Sequence, residues 1–61
     1  MPIELVKECI NKKCVISLMT GTQEYTGVVK EIEGYWIKIQ EDDSVRIING
    51  VGIRDIKILE K

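Results

Sequence analysis

The feature of this sequence that most constrains its fold is a change of apolar spacing near residue 13. Before that point apolar residues recur at helical spacing, whereas after it the spacing changes to a period of two along five short runs. Alternation with a period of two is typical of strands that bury one face. The runs cover residues 14–19, 25–32, 35–40, 45–48 and 53–59. Together they predict a mainly β fold, a strongly bent five-stranded antiparallel sheet or open barrel.

The segment ahead of the first run predicts a short N-terminal helix within residues 2–11. Its apolar stripe consists of Ile3, Val6 and Ile10. Asn11 is a suitable stop, because Asn tolerates the left-handed conformation at a helix end. A helix of about two turns does not persist alone in water, so we expect this one to dock on the strands.

The length of the chain limits it to a single small domain. We expect residues 1–61 to form one unit, with the helix at 2–11 and the barrel at 13–59. Ordering such a chain costs roughly 1.5 kcal/mol per residue, which apolar burial barely offsets. We therefore expect neighbouring subunits of a homo-oligomer to supply part of the stability.

Glycines and a change of phase mark where the sheet should bend and turn. Ile32 has slipped out of phase with the first part of its run, which predicts a β-bulge. Gly27 lies within the same run, where a missing side chain permits a sharp bend. Glu33-Gly34 predicts a tight hairpin turn, and Gly50 is expected to need a positive φ at the corner between the last two strands.

The composition argues against catalysis. The chain contains no His, the commonest general base and zinc ligand, and its net charge is −1. No Ser or Cys has a His to activate it, and no Gly-rich loop precedes a helix to cradle phosphate. We expect no enzymatic activity and no cofactor.

The two cysteines, Cys9 and Cys14, are expected to be reduced thiols that act as small core residues. A metal clip and a disulfide are the alternatives that their spacing leaves open. The sequence shows no apolar run of membrane-spanning length and no signal-peptide pattern, so we expect a cytoplasmic location.

The order of elements and the glycine positions resemble the Sm-like (LSm) family, which includes the Hfq-like proteins. The first matching motif is an apolar strand ending in a Gly turn, a Gly within the next strand and an acidic residue before the third. The second is an apolar strand, a residue–Gly pair and an Ile three positions later. The matching residues are Leu18, Gly21, Gly27 and Glu33, followed by Tyr35-Trp36-Ile37, and then Ile47, Ile48, Asn49, Gly50 and Ile53, continuing into Asp55-Ile56.

This resemblance implies a helix-capped barrel whose subunits form a ring, with strand four of one subunit pairing with strand five of the next. It also implies a pocket for single-stranded RNA. Tyr35 keeps the position that stacks on a base, whereas Ile37 replaces the family's Asn and Asn49 replaces its Arg. We therefore expect a ring-forming RNA-binding protein with a non-standard pocket. An oligomeric protein-interaction module that has lost RNA binding is the alternative.

Several assignments stay open at the level of sequence. Tyr35 either stacks on a base or shares a core face with Ile37 and Ile39. Arg46 and Arg54 either replace the missing pocket Arg or form surface pairs with Glu33 or Asp55.

Two charged stretches are most simply solvated surface. One is the cluster Lys7, Lys12 and Lys13, whose alternative role is to bind nucleic acid. The other is the acidic loop at residues 41–43, whose alternative role is to hold a cation.

The expected subunit interface is rich in β-branched residues and Trp. It comprises Val45, Ile47, Ile56, Ile58 and Trp36. Trp36 falls on the outward phase of its strand, so we expect either the N-terminal helix or a neighbouring subunit to cover it. Head-to-tail pairing would close a ring, a hexamer or heptamer by the resemblance, and would protect both edge strands.

Overall fold

The computed structural model describes residues 3–59, which form a short helix followed by five strands. Helix α1 (Ile3–Val6) continues into a 3₁₀ turn at Lys7–Cys9. The strands are β1 (Lys13–Leu18), β2 (Glu24–Glu33), β3 (Trp36–Gln40), β4 (Val45–Asn49) and β5 (Ile53–Ile58), and a second 3₁₀ turn, Gly50–Gly52, joins β4 to β5. Residue 2, the predicted start of the helix, lies outside the described residues, as does the side chain of Ile3. Asn11 has the left-handed conformation predicted for it, with a φ of +69°. The helical segment already ends at Cys9, so Ile10 lies outside it.

All five strands belong to one antiparallel sheet in the order β4-β3-β2-β1-β5. The mainly β class and the N-terminal helix are thus confirmed. The sheet is not closed by backbone pairing, so β4 and β5 are its two edges. It nevertheless curls strongly, since Arg46 on β4 reaches the ring of Tyr25, which lies on a part of β2 that pairs with β1.

A single apolar cluster fills the inside of the curled sheet. Its buried members are Val6, Cys9, Cys14, Ile16, Val29, Ile37, Ile39, Ile48 and Ile53. The strand members occupy alternate positions because side chains on a pleated strand point to opposite faces. Val6 and Cys9 bring the helical segment into the same cluster, so the expected docking of the helix is confirmed.

The bulge predicted from Ile32 is confirmed. The register of the β2–β3 pair shifts between Val29 and Glu31. The Val29 backbone also anchors the segment that follows the helix: its N–H donates to the Lys12 carbonyl (3.1 Å), and its carbonyl accepts from the Asn11 N–H (2.6 Å). The bend in β2 and the attachment of the helix therefore meet at one residue.

Two of the glycine predictions have different outcomes. Gly27 is required for a close approach, because a Cβ there would lie 2.6 Å from the backbone oxygen of Gln40. The positive φ expected at Gly50 is wrong, since among the described glycines only Gly21 and Gly34 have one. Gly50 instead begins a 3₁₀ turn, which needs no left-handed residue.

The hairpin between β2 and β3 turns one residue later than predicted. Glu33 pairs with Trp36, which leaves Gly34-Tyr35 as the two loop residues. Gly34 has a φ of +60° and Tyr35 does not have a positive φ. This combination is the pattern of a type II′ turn, whose twist matches that of the flanking strands.

Candidate functional site

The β4–β5 corner is hydrogen-bonded to two other loops, the Gly34-Tyr35 turn and the β1–β2 loop. We call the region where they meet the corner the loop end. The Gly50 N–H donates to the Tyr35 carbonyl, and the Met19 N–H donates to the Gly52 carbonyl at 2.9 Å. The structure therefore brings Tyr35 beside the corner that contains Asn49 and Gly50.

Tyr35 is 70% exposed. It occupies the second position of the hairpin turn rather than the strand, so its side chain does not share the core face of Ile37 and Ile39, and that interpretation is wrong. Its backbone is fixed on both sides, by the turn and by the bond from Gly50. An aromatic ring held in this way is available to stack on a planar ligand.

Asn49 stabilises the corner with its side chain. Its Oδ1 accepts a hydrogen bond from the Val51 N–H at 2.9 Å, which caps the 3₁₀ turn. The side-chain oxygen of Asn49 is thereby engaged, whereas its Nδ2 amide group donates no hydrogen bond to another residue in 3–59. This exposed residue therefore has donors available at the loop end.

Ile37, the third residue of the expected pocket, is buried in the core with 1% of its surface exposed. It pairs with Ile48 on β4, and both residues face the inside of the sheet. Its side chain is therefore not part of any surface at the loop end.

Arg46 lies on the inner phase of β4, away from Tyr35. Its Nε is 3.0 Å from Glu41 Oε2, and its guanidinium carbon is 4.5 Å from the centroid of the Tyr25 ring. The hydrogen bond to Glu41 raises the pKa of the guanidinium above its ordinary value. The partner is Glu41 rather than Glu33 or Asp55, so Arg46 pairs at the surface with a residue the sequence did not indicate.

Arg54 pairs with its neighbour in the chain. Its Nε is 3.1 Å from Asp55 Oδ2, and both side chains are exposed. This is the surface pair that the sequence left open for Arg54. Both arginines of the chain are therefore engaged by carboxylates within the same subunit.

The two edge strands carry most of the residues expected at a subunit interface. Val45 and Ile47 on β4 are 55% and 58% exposed, whereas Ile56 and Ile58 on β5 are half-buried against the core. A groove of about 500 Å³ runs beside β5 and is walled on its other side by Leu5, Val6 and Cys9 of the helical segment. A second groove of about 500 Å³ lies along β4, between Ile48 and Tyr25.

Trp36 is 52% exposed on the outer face of β3. The part of the N-terminal helix that the structure describes therefore does not cover Trp36, and that expectation is wrong. Its direct partners across the sheet are Glu33 on β2 and Asn49 on β4.

The remaining charged stretches are exposed. Lys7, Lys12 and Lys13 all point to solvent. In the acidic loop, Glu41 accepts from the Ser44 hydroxyl at 3.2 Å as well as from Arg46. Within residues 3–59 no group of His, Cys, Asp or Glu side chains is arranged to hold a metal ion.

The cysteines are free and buried, as expected for core residues. The Cys14 thiol donates to the Lys12 carbonyl at 3.4 Å. Burial, and then the neighbouring Cys9, raises the pKa of Cys14 from 9.0 to about 11. Since the thiolate is the reactive form, we expect this cysteine to react slowly at neutral pH.

The cluster of Tyr25, Arg46 and Glu41 is the feature that sequence reasoning missed. Its members come from β2, β4 and the loop before β4, and no local pattern joins them. The available signal was Arg46 on the inward phase of its strand, which required a partner inside the curl.

No helix of residues 3–59 is long and apolar enough to cross a membrane. No protein-family model, curated protein or solved structure matches this chain.

Proposed function

We propose that this protein is an Sm-like, ring-forming RNA-binding module that stacks bases of single-stranded RNA on Tyr35. The observation that carries the proposal is the exposure of Tyr35 at the loop end, where its backbone is bonded to Gly50. Stacking on an aromatic ring is worth about 1–3 kcal/mol per base and tolerates different sequences. A ring that repeats one such site in every subunit would add these stacking free energies along one RNA strand.

Self-assembly is supported by the two unpaired edges of the sheet. β4 and β5 lie at opposite ends of the strand order, so one edge of each subunit is free to meet the other edge of the next. Unpaired edges rich in β-branched residues invite uncontrolled association unless they are covered. Head-to-tail pairing uses both edges at once, and a closed ring leaves neither of them open.

The RNA site would differ from the pocket expected for the family. Ile37 is in the core, and both arginines are paired with carboxylates of their own subunit. Tyr35 and the free amide group of Asn49 are then the groups that meet a base, while Lys7, Lys12 and Lys13 offer charge to the backbone. Phosphate contacts by lysines make binding sensitive to salt. The proposal involves no catalytic step, and the free buried thiols suit a reducing compartment such as the cytoplasm.

The proposal is tested first by the oligomeric state and then by RNA binding. Light scattering coupled to gel filtration should give a closed oligomer, and amide exchange should be slow along both β4 and β5. Fluorescence anisotropy with labelled U-rich and A-rich RNA should show salt-sensitive binding. Tyr35→Ala should abolish it, whereas Tyr35→Phe, which keeps the ring, should retain it. A monomer at micromolar concentration contradicts the ring, and equal binding by Tyr35→Ala contradicts stacking.

A protein-interaction module without RNA binding is the second candidate. The observation that favours it is the pairing of both arginines within the subunit, which engages both guanidinium groups that could otherwise bind phosphate. The net charge of −1 points the same way. An oligomer that binds neither RNA at low salt would support this candidate over the first.

A further inference from the structure

The outer face of β4 presents an apolar surface that the edges of the sheet do not account for. Along β4, Arg46 and Ile48 oppose the buried Ile39 and Ile37, so they face inward. Val45 and Ile47 therefore face outward, on the same side as Trp36 of β3. These three residues are each more than half exposed, and together we call them the outer patch.

Edge-to-edge pairing of β4 with β5 would leave the outer patch uncovered. On β5, Ile56 and Ile58 lie opposite the buried Ile16 and Cys14 of β1, so they belong to the inner face. The outward residues of β5 are Asp55 and Lys57. Because the two faces of a sheet continue across a strand pair, Val45 and Ile47 would meet charged neighbours there rather than Ile56 and Ile58. The five residues expected to form one interface therefore divide between two faces.

Acidic side chains border the outer patch. Glu33 lies directly opposite Trp36, and Glu31 lies opposite Lys38. A depression of about 240 Å³ between them is lined by Glu31, Glu33, Trp36, Lys38 and Ile47. Lys38 Nζ is 3.4 Å from Glu31 Oε1, whereas Glu33 forms no ion pair with any residue in 3–59. One carboxylate beside an exposed indole is thus left without a cation.

We propose that the outer patch binds a polypeptide segment of another protein in which basic and apolar side chains alternate. Its Lys or Arg would lie between the Trp36 ring and the Glu33 carboxylate, since indole is the strongest cation–π partner and the carboxylate adds charge. Its apolar side chains would cover Ile47 and Val45. Glu31 and Glu33 repel phosphate, so this face suits a basic peptide and not RNA. In a second copy of this chain, exposed Leu5 follows Glu4 directly and precedes Glu8 by three residues, and these carboxylates would meet like charge here.

Trp36 is the only Trp in the chain, so its fluorescence reports on the patch directly. The probe is a short synthetic peptide in which Arg and Leu alternate, compared with a matched peptide that has Glu in place of Arg. The Arg peptide should shift Trp36 emission to the blue in a saturable titration, and the Glu peptide should not. In the free protein, acrylamide should quench Trp36 readily.

Two variants localise the binding. Glu31→Gln with Glu33→Gln should lower the affinity for the Arg peptide about fivefold, because it removes the carboxylate that holds the peptide's cation and leaves Lys38 without its own partner. The matched control is Asp42→Asn with Asp43→Asn, which makes the same change of net charge in the β3–β4 loop and should leave the affinity unchanged. Ile47→Thr keeps a β-branched residue on the strand and should also weaken binding.

Four results would overturn the proposal. They are equal binding of the Arg and Glu peptides, equal loss in the control pair, a Trp36 already shielded from acrylamide because a second copy covers it, and displacement of the peptide by RNA. The peptide titrations and the variants do not depend on RNA binding at Tyr35. If the outer patch binds no peptide, the proposal of RNA stacking at the loop end still stands. If the loop end binds no RNA, the proposal of peptide binding at the outer patch still stands.

Discussion

The guanidinium carbon of Arg46 lies 4.5 Å from the centroid of the Tyr25 ring, across the opening of the curled sheet. Arg46 belongs to the edge strand β4, whereas Tyr25 pairs with β1 near the other side of the sheet. Glu41 holds the same guanidinium at 3.0 Å. These three side chains tie the free edge of the sheet to its middle.

Replacing Arg46 should loosen that edge without unfolding the protein. Arg46→Ala removes both the ring contact and the ion pair, so we expect Tm to fall by a few degrees, with faster amide exchange along β4. Arg46→Lys keeps the charge but not the planar group that stacks on the ring, so its Tm should lie between those of the parent protein and Arg46→Ala. A double-mutant cycle with Tyr25→Leu isolates the ring contact. Additive losses in that cycle would contradict a coupling between the two side chains.

Gly27 should tolerate no side chain. A Cβ at this position would lie 2.6 Å from the Gln40 backbone oxygen, and backbone cannot move aside cheaply. Gly27→Ala should lower the free energy of unfolding by about 1–3 kcal/mol. Gly52→Ala is the matched control, because a Cβ there meets nothing within 4 Å. Urea denaturation of both variants checks the prediction, which is contradicted if they unfold at the same midpoint.

The side-chain oxygen of Asn49 should contribute to the stability of the fold. Asn49→Ala loses the hydrogen bond from the Val51 N–H and should destabilise the fold by about 0.5–1 kcal/mol. Asn49→Asp retains an acceptor at the same place, so its stability should be close to that of the parent protein. Chemical denaturation distinguishes the two variants. If Asp costs as much as Ala, the cap is not what stabilises the corner.

The stability of the fold should decline in alkali because of Cys14. The pKa of its thiol is 9.0 in the unfolded chain and about 11 in the folded one, raised by burial first and by Cys9 next. Between these values the unfolded chain releases the proton and the folded chain keeps it, so deprotonation favours unfolding. The contribution is complete below pH 9.0 and is lost as the pH rises toward about 11.

Urea midpoints measured across that range check this prediction. The comparison is with Cys14→Ala, which lacks the thiol and should show a shallower decline from its own lower starting stability. Alkylation by iodoacetamide at neutral pH should also be slow in the native protein and fast in urea. An identical slope in the parent and Cys14→Ala would contradict the assignment to this thiol.

The strands, the left-handed conformation of Asn11 and the bulge were predictable because each depends on neighbours in the sequence. Alternation over a few residues places Ile37 and Ile39 on one face, and the slipped phase of Ile32 reveals an extra residue in β2. For Gly27 the sequence predicted a sharp bend, whereas the close approach of the Gln40 backbone is seen only in the structure.

The placement of Tyr35 and of the interface residues was harder to predict. Assigning Tyr35 to the turn or to the strand depended on one residue of register, which changes a side chain from core to solvent. Ile56 and Ile58 were grouped with Val45 and Ile47 because all are apolar and lie on edge strands. Only the pairing of β5 with β1 separates them, and that pairing joins residues about 40 positions apart.

The alternation along β4 has a consequence for avidity. Because the backbone edge of β4 would serve self-association while its outward side chains stay available, assembly and partner binding would not compete for the same groups. Every subunit added to a closed assembly would then contribute another copy of the outer patch. A partner that carries several basic segments on a flexible tether would bind such an array far more tightly than it binds one subunit.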